Sequence, residues 1–213
     1  MAMTEAVVVL GAGGHGRALI ELLRDLPAYA PIGVVDAAPR AEAVLGLPVL
    51  GTEAALPGLR AAGIRLAVAA LGENAARRAA AARLAALGFA LPALVHPSAV
   101  RARSAVVEEG AVVLPRAVLG AGVRIGRLAI VNSGAVVEHD AEVGEAAHVG
   151  PGAVLPGGVR LGEGALVGAG ACCRPGVAIG AGAVVGAGAA VVGDVPEGAV
   201  VGGVPARPLR PTA

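Results

Sequence analysis

At 213 residues, 56% hydrophobic and with a net charge of +1, the chain has core material for one or two globular units. All 17 basic side chains are Arg and lie scattered along the chain, which excludes a basic patch for nucleic acid or a membrane surface. No run of about eighteen apolar residues escapes interruption by charge or glycine, which excludes a membrane-spanning segment.

The residues before Val95 alternate between strand and helix signals. Ala6–Leu10 reads as a buried strand, followed by the turn Gly11-Ala12-Gly13-Gly14-His15-Gly16 and a helix over about Arg17–Leu26. A second strand over about Ile32–Val35 ends in Asp36, and a short apolar piece covers Leu47–Leu50. Helical spacing over Glu53–Ala62, a strand over Arg65–Leu71 and a helix over Asn74–Leu87 complete the unit, and Phe89–Val95 leads out of it. This alternation predicts a parallel sheet with helices on both faces, and its length suits one mononucleotide-binding half of a doubly wound fold.

A glycine-rich turn between a strand and a helix lets a diphosphate approach the backbone, and the helix N-terminus offers unpaired N–H donors. Gly13, Gly14 and His15, the last at the loop apex, are therefore candidate ligand contacts, with Asp36 placed to accept hydrogen bonds from a ribose. The alternative is a tight strand–helix turn with no ligand. The half that would hold a nicotinamide is missing, so a nucleotide diphosphate joined to something else fits better than NAD.

From Val95 to Val191 the grammar changes. Seventeen positions spaced six residues apart are aliphatic except Arg101 and Cys173, and four residues after each stands Ala or Val. A period of six fits neither helix nor ordinary strand; it fits a β-solenoid with one inward aliphatic residue per flat side. Three sides make an eighteen-residue coil, and about six coils at roughly 4.8 Å spacing give a prism about 27 Å long. Its narrow interior accounts for an aromatic content of 1%. The boundary falls near Pro92–Pro97, giving an α/β domain over 1–92 and a repeat domain over 93–213.

His139 occupies the third position of its hexad, which should point outward at a corner, between Ala121 and Gly157 one coil below and above. Both neighbours are small and leave a hollow for the imidazole, and the flanking Glu138 and Asp140 can fix which ring nitrogen holds the proton. The alternative is a solvated histidine with chance acidic neighbours. His148 stacks between Ile130 and Leu166 and is expected to pack or to line a cleft between subunits, while His96 reads as a hinge or cap. His139 and His148 lie half a coil apart, so no shared metal site is expected. Cys172 and Cys173 are adjacent and cannot form a disulfide framework; with no secretory signal among the opening residues, a cytoplasmic protein is expected.

Taken together, Gly11–Gly16, Val35-Asp36, Leu45–Val49, His96–Ala99, Asn132–Asp140, His148–Pro151 and Gly203–Arg207 resemble a family of nucleotide-sugar N-acetyltransferases acting on 4-amino-4,6-dideoxy sugars. That family includes enzymes for GDP-perosamine and for the UDP-4-amino sugar of bacillosamine synthesis, and sialic acid O-acetyltransferases are related to it. The resemblance implies a left-handed β-helix behind a half-Rossmann domain and a homotrimer with active sites between neighbouring solenoids. It implies acetyl-CoA as co-substrate, no metal, His139 as general base and Asp140 as its acidic assistant. It further implies acetyl-CoA contacts at His148, Ala169 and Ala187, and nucleotide-sugar contacts at Gly13, Gly14, His15 and Asp36. Where some relatives carry two consecutive acids this chain has Asp36-Ala37. Sugar O-acetylation and a non-catalytic scaffold stand as the competing readings.

Overall fold

The computed structural model describes residues 4–209. The chain divides into two compact units, Met1–Leu94 and Val95–Ala213.

In the first unit, strands β1 (Glu5–Leu10), β2 (Tyr29–Val35), β3 (Ala43–Val44), β4 (Leu47–Gly51) and β5 (Leu66–Ala69) form one sheet in the order β3-β4-β2-β1-β5. Every pair is parallel except the β3–β4 hairpin. Val7, Val8 and Val9 are fully buried, as a strand covered on both faces requires. Helix α1 (Gly14–Arg24) buries Leu19, Ile20, Leu22 and Leu23, a stripe at helical spacing. Glu53–Ala55 is a 3₁₀ turn that runs into α2 (Leu56–Ala61), where one continuous helix was expected. Helix α3 (Asn74–Ala86) is capped by the Glu73 carboxylate, which accepts the N–H of Ala75 and Ala76. These backbone hydrogen bonds hold that carboxyl below the usual range.

One predicted boundary is corrected. Helix α1 begins at Gly14, not Arg17: Gly13 is its extended N-cap, and the Arg17 N–H closes the first turn on the Gly13 carbonyl at 3.0 Å. Half of the glycine-rich turn is therefore helix, and His15 sits in the first helical turn rather than at a loop apex. The low helix propensity of Gly14 and Gly16 is overridden because α1 crosses the end of β1 too closely for any side chain at Gly16. A Cβ there would lie 2.0 Å from the Gly11 carbonyl oxygen.

The second unit is a parallel β-helix of two-residue strands. The six-residue register predicted from sequence holds: the second residue of each strand points inward, and from Val113 to Val191 these positions are at most 8% exposed. Partners stand eighteen residues apart, as in Val118↔Val136↔Val154 and His148↔Leu166. Small residues four places on, such as Ala129, Ala147, Ala165 and Ala183, fill the corners at 0% exposure. Val95 and Val107 are only partly buried and Arg101 is exposed, because the first coil has no preceding coil to cover it. After Val191 the step shortens to sixteen residues, with Val201 beside Val185, and the antiparallel strand Arg207–Pro208 ends that sheet.

The three faces differ in what they turn outward. One presents Val100, Val118, Val136, Val154, Cys172 and Ala190 and is called the valine face below. The histidine face carries Val112, Ile130, His148, Leu166 and Val184; the first two are buried and the last three half-buried. The polar face presents Arg124, Glu142 and Arg160 in a ladder of alternating charge.

Inside the prism Leu155 is fully buried among neighbouring coils. Leu155→Ala leaves a cavity that close-packed coils cannot collapse to fill, with an expected cost of about 2–5 kcal/mol. The check is a lowered midpoint of thermal unfolding; an unchanged midpoint would show that the coil interior tolerates voids.

Candidate functional site

In the first unit the loops at the carboxyl ends of β1 and β2, together with the β3–β4 hairpin, build a cavity of about 490 Å³. Ala12, Gly13, Arg17, Asp36 and Arg40 line it. The glycines divide by role. Gly11 and Gly16 are structural, since a Cβ on Gly11 would meet the Ala70 carbonyl oxygen at 2.7 Å and one on Gly16 would strike Gly11. Gly13 and Gly14 face open space, with nothing within 4 Å of a Cβ at either. Asp36 does more than face the cavity. Its Oδ2 accepts the Ala12 N–H at 2.7 Å and its Oδ1 accepts the Ala38 N–H at 2.9 Å, tying the turn to the end of β2. Each oxygen retains a lone pair for a ligand hydroxyl. His15 faces the β5–α3 loop near Gly72. That loop is held by Arg77, which donates to the Leu71 and Gly72 carbonyls at 3.0 Å each; burial lowers its pKa to about 10. Arg17 and Arg40 escaped the sequence reading because lone arginines carry no spacing signal.

In the β-helix, His139 stands at the corner where the chain leaves the valine face. Its side chain is 65% exposed, and Nδ1 lies 3.0 Å from Asp140 Oδ2. An ionised carboxylate only accepts, so Nδ1 carries the proton and the neutral ring presents an unprotonated Nε2. Gly157 lies against that edge of the ring, while the Asp140 carboxylate leans toward Gly122 in the coil below. Asp140 occupies the fourth hexad position, where the backbone is left-handed: its φ is +58, against +66 at Gly134 and +62 at Gly152. For a residue with a Cβ this conformation costs about 1–2 kcal/mol. Asp140→Gly thus removes both strain and the ring's partner. Its fold stability is expected to stay within about 1 kcal/mol of the parent, while turnover falls at least about tenfold because the imidazole loses the group that orients it. Thermal melts and kcat measured together check this; a variant with full turnover would remove Asp140 from the chemistry.

His148 lies on the histidine face one strand from Asn132, whose Nδ2 is 3.1 Å from His148 Nε2. Asn132 was not singled out from sequence; its place sixteen residues before His148, on the adjacent coil, is the signal that marks it. Ala169 and Ala187 occupy exposed turns leaving the same face one coil apart, and their N–H groups donate no hydrogen bond among the described residues. His148, Asn132, Ala169 and Ala187 therefore share one corner region, and His139, Asp140 and Gly157 share another. A full face of six residues separates them, about 20 Å at strand rise. Within one copy the two groups do not meet. His96 caps the first coil: its Nδ1 accepts the Ser98 N–H at 3.0 Å. Burial, together with the neighbouring Cys172, pushes the Cys173 thiol up to about 12, so it is no nucleophile at neutral pH. No helix among the described residues is long and apolar enough to cross a membrane.

The chain matches two family models, the PglD N-terminal domain over residues 6–84 and the bacterial transferase hexapeptide over residues 140–175. Among solved structures it is similar to PerB from Caulobacter crescentus in complex with CoA and GDP-perosamine. The identity is 42% and the TM-score 0.92, covering 98% of this chain and 99% of that one. It is also similar to the acetyltransferase domain of PglB from Neisseria gonorrhoeae in complex with acetyl coenzyme A, at 40% identity and TM-score 0.90, covering 97% and 100%. WeeI from Acinetobacter baumannii matches at 25% identity and TM-score 0.78, covering 97% and 100%. Two more structures of the Caulobacter enzyme carry Asn or Ala in place of one histidine. No curated protein sequence matches the chain.

Proposed function

The chain belongs to the hexapeptide-repeat N-acetyltransferases of nucleotide-linked amino sugars, a half-Rossmann unit followed by a left-handed β-helix, and on that premise we propose its reaction. It transfers the acetyl group of acetyl-CoA to the 4-amino group of a UDP- or GDP-linked 4-amino-4,6-dideoxy sugar. The observation that carries this reading is the exposed His139–Asp140 pair, with Nδ1 held at 3.0 Å from the Asp140 carboxylate.

The sugar amine attacks the thioester carbonyl; the N–C bond forms, the C–S bond breaks and CoA departs as the thiol. His139 Nε2 takes the proton that the nitrogen sheds, Asp140 stabilises the imidazolium so formed, and that proton passes to the departing thiolate, which restores the neutral ring. Neither cysteine has a base beside it, which favours direct transfer over an acyl-enzyme. In the first unit, Gly13, Gly14 and His15 at the start of α1 would hold the diphosphate, with Arg17 and Arg40 adding positive charge and Asp36 meeting the ribose. His148, Ala169 and Ala187 would contact acetyl-CoA.

We assign the working form as a homotrimer. Two supports favour it: the valine face turns a row of exposed and half-buried aliphatic side chains outward, which a solenoid buries against its copies, and the base and cofactor corners are a face apart in one copy. A neighbouring copy brings them together. The cytoplasm is the proposed compartment.

The test is thiol release from acetyl-CoA against GDP-perosamine, two UDP-4-amino-4,6-dideoxy sugars, and sialic acid with its CMP form. Thiol release with one amino sugar, and an acetyl mass gain on its nitrogen, is the expected result. Turnover on sialic acid alone moves the reading to O-acetylation, and silence throughout sinks it.

A further inference from the structure

From the geometry at the base we infer that Gly157 is a positioning residue for His139: its missing side chain leaves the space in which the imidazole sits beside Asp140. The inference rests on the reading of His139 as the general base. A Cβ at Gly157 would lie 2.5 Å from both Cε1 and Nε2 of His139 and 3.1 Å from Cδ2. Both ring atoms at the working edge thus pack directly on the Gly157 backbone. Next to Cε1, Nδ1 is fixed by Asp140. The ring is held between a carboxylate and a bare backbone, and its position follows from the two together.

Three features make the assignment specific. Gly157 has no left-handed φ, so its backbone does not call for glycine. The turn it belongs to is made by Gly158, at φ +69, which keeps the coil's corner whatever stands at 157. The three atoms nearest to a Cβ at 157 all belong to the imidazole, the end of an exposed and rotatable side chain. Elsewhere in the stack a Cβ on glycine meets backbone that cannot yield, as at Gly120 against the His139 N at 2.6 Å. Substitution at Gly157 therefore moves the ring and spares the fold, while substitution at Gly120 disturbs the coil itself.

The moved ring fails in two ways. It swings off the Asp140 carboxylate, losing the contact that keeps the proton on Nδ1, and its Nε2 is screened by the new methyl. Displacement of a catalytic group by about 1 Å costs on the order of 10²-fold in rate. Gly157→Ala is expected to lower kcat between about tenfold and a hundredfold, with KM for acetyl-CoA and for the nucleotide sugar within about twofold and the unfolding midpoint unchanged. In a His139→Ala background the same change should cost nothing further, since the ring it displaces is gone.

The decisive measurement is this four-variant cycle, read as kcat and KM on the protein with its best amino-sugar substrate. Wild-type kcat in Gly157→Ala overturns the inference, and so does a loss that persists undiminished in the His139→Ala background, which would mark a structural role. Full turnover in His139→Ala alone is a different failure: it removes the base, and with it the reading on which the seat depends.

Discussion

His139→Ala is expected to lower kcat by about 10²- to 10⁴-fold, the range a positioned proton acceptor contributes. Binding of the nucleotide sugar should stay within a fewfold of the parent, because the cavity lined by Gly13, Asp36 and Arg40 belongs to the other unit. The side chain is 65% exposed, so its removal opens no buried cavity and the unfolding midpoint should hold. Turnover across pH separates this loss from one of shape: the base-dependent limb of the profile should vanish with the imidazole. Residual rate is expected from proximity of the two substrates, as in other enzymes stripped of a base. An unimpaired His139→Ala enzyme would leave the pair with Asp140 without a role.

The second large effect lies in the glycine-rich turn. In Gly16→Ala the new methyl would fall 2.0 Å from the Gly11 carbonyl oxygen and 2.9 Å from its carbon. Both are backbone at the end of the interior strand β1, so α1 must back away from the sheet. Overpacking of this kind costs about 1–3 kcal/mol, and the retreat carries Gly13 away from the cavity it lines. The dissociation constant for the nucleotide sugar is expected to rise at least tenfold, with acetyl-CoA affinity unchanged. Gly13→Ala is the contrast: nothing lies within 4 Å of its Cβ and its φ is −72, so the fold accepts the methyl. It fills only the space where a diphosphate would pass the helix N-terminus. Calorimetric titration of both variants decides the matter. If both bind the nucleotide sugar as the parent does, the turn is a structural joint and the ligand lies elsewhere.

How much of this was legible beforehand differs between the two units. The β-helix was readable almost to the residue, because a coil repeats one set of constraints and each hexad restates which position faces inward. Even the hollow around His139 could be read, since Ala121 and Gly157 follow from a fixed offset of eighteen. The start of α1 could not, because glycines signal a loop and only the close crossing at Gly11 makes Gly14–Gly16 helical. Nor could Asn132 be tied to His148, or Arg17 and Arg40 to a cavity, since neither arrangement leaves a period or a motif.

By itself the sequence determined the architecture: a strand–helix unit followed by coils of eighteen residues, with an outward Glu-His-Asp at one corner. Local pattern suffices there, because burial of a narrow aliphatic interior permits one register and excludes its neighbours. The tertiary structure alone decided how those residues are held. It set the Asp140 carboxylate against Nδ1, left Nε2 over bare backbone at Gly157, and tied Asp36 to the glycine-rich turn. Hydrogen-bond partners and steric clearances of a few tenths of an ångström arise only when coils and strands far apart in the chain are brought side by side.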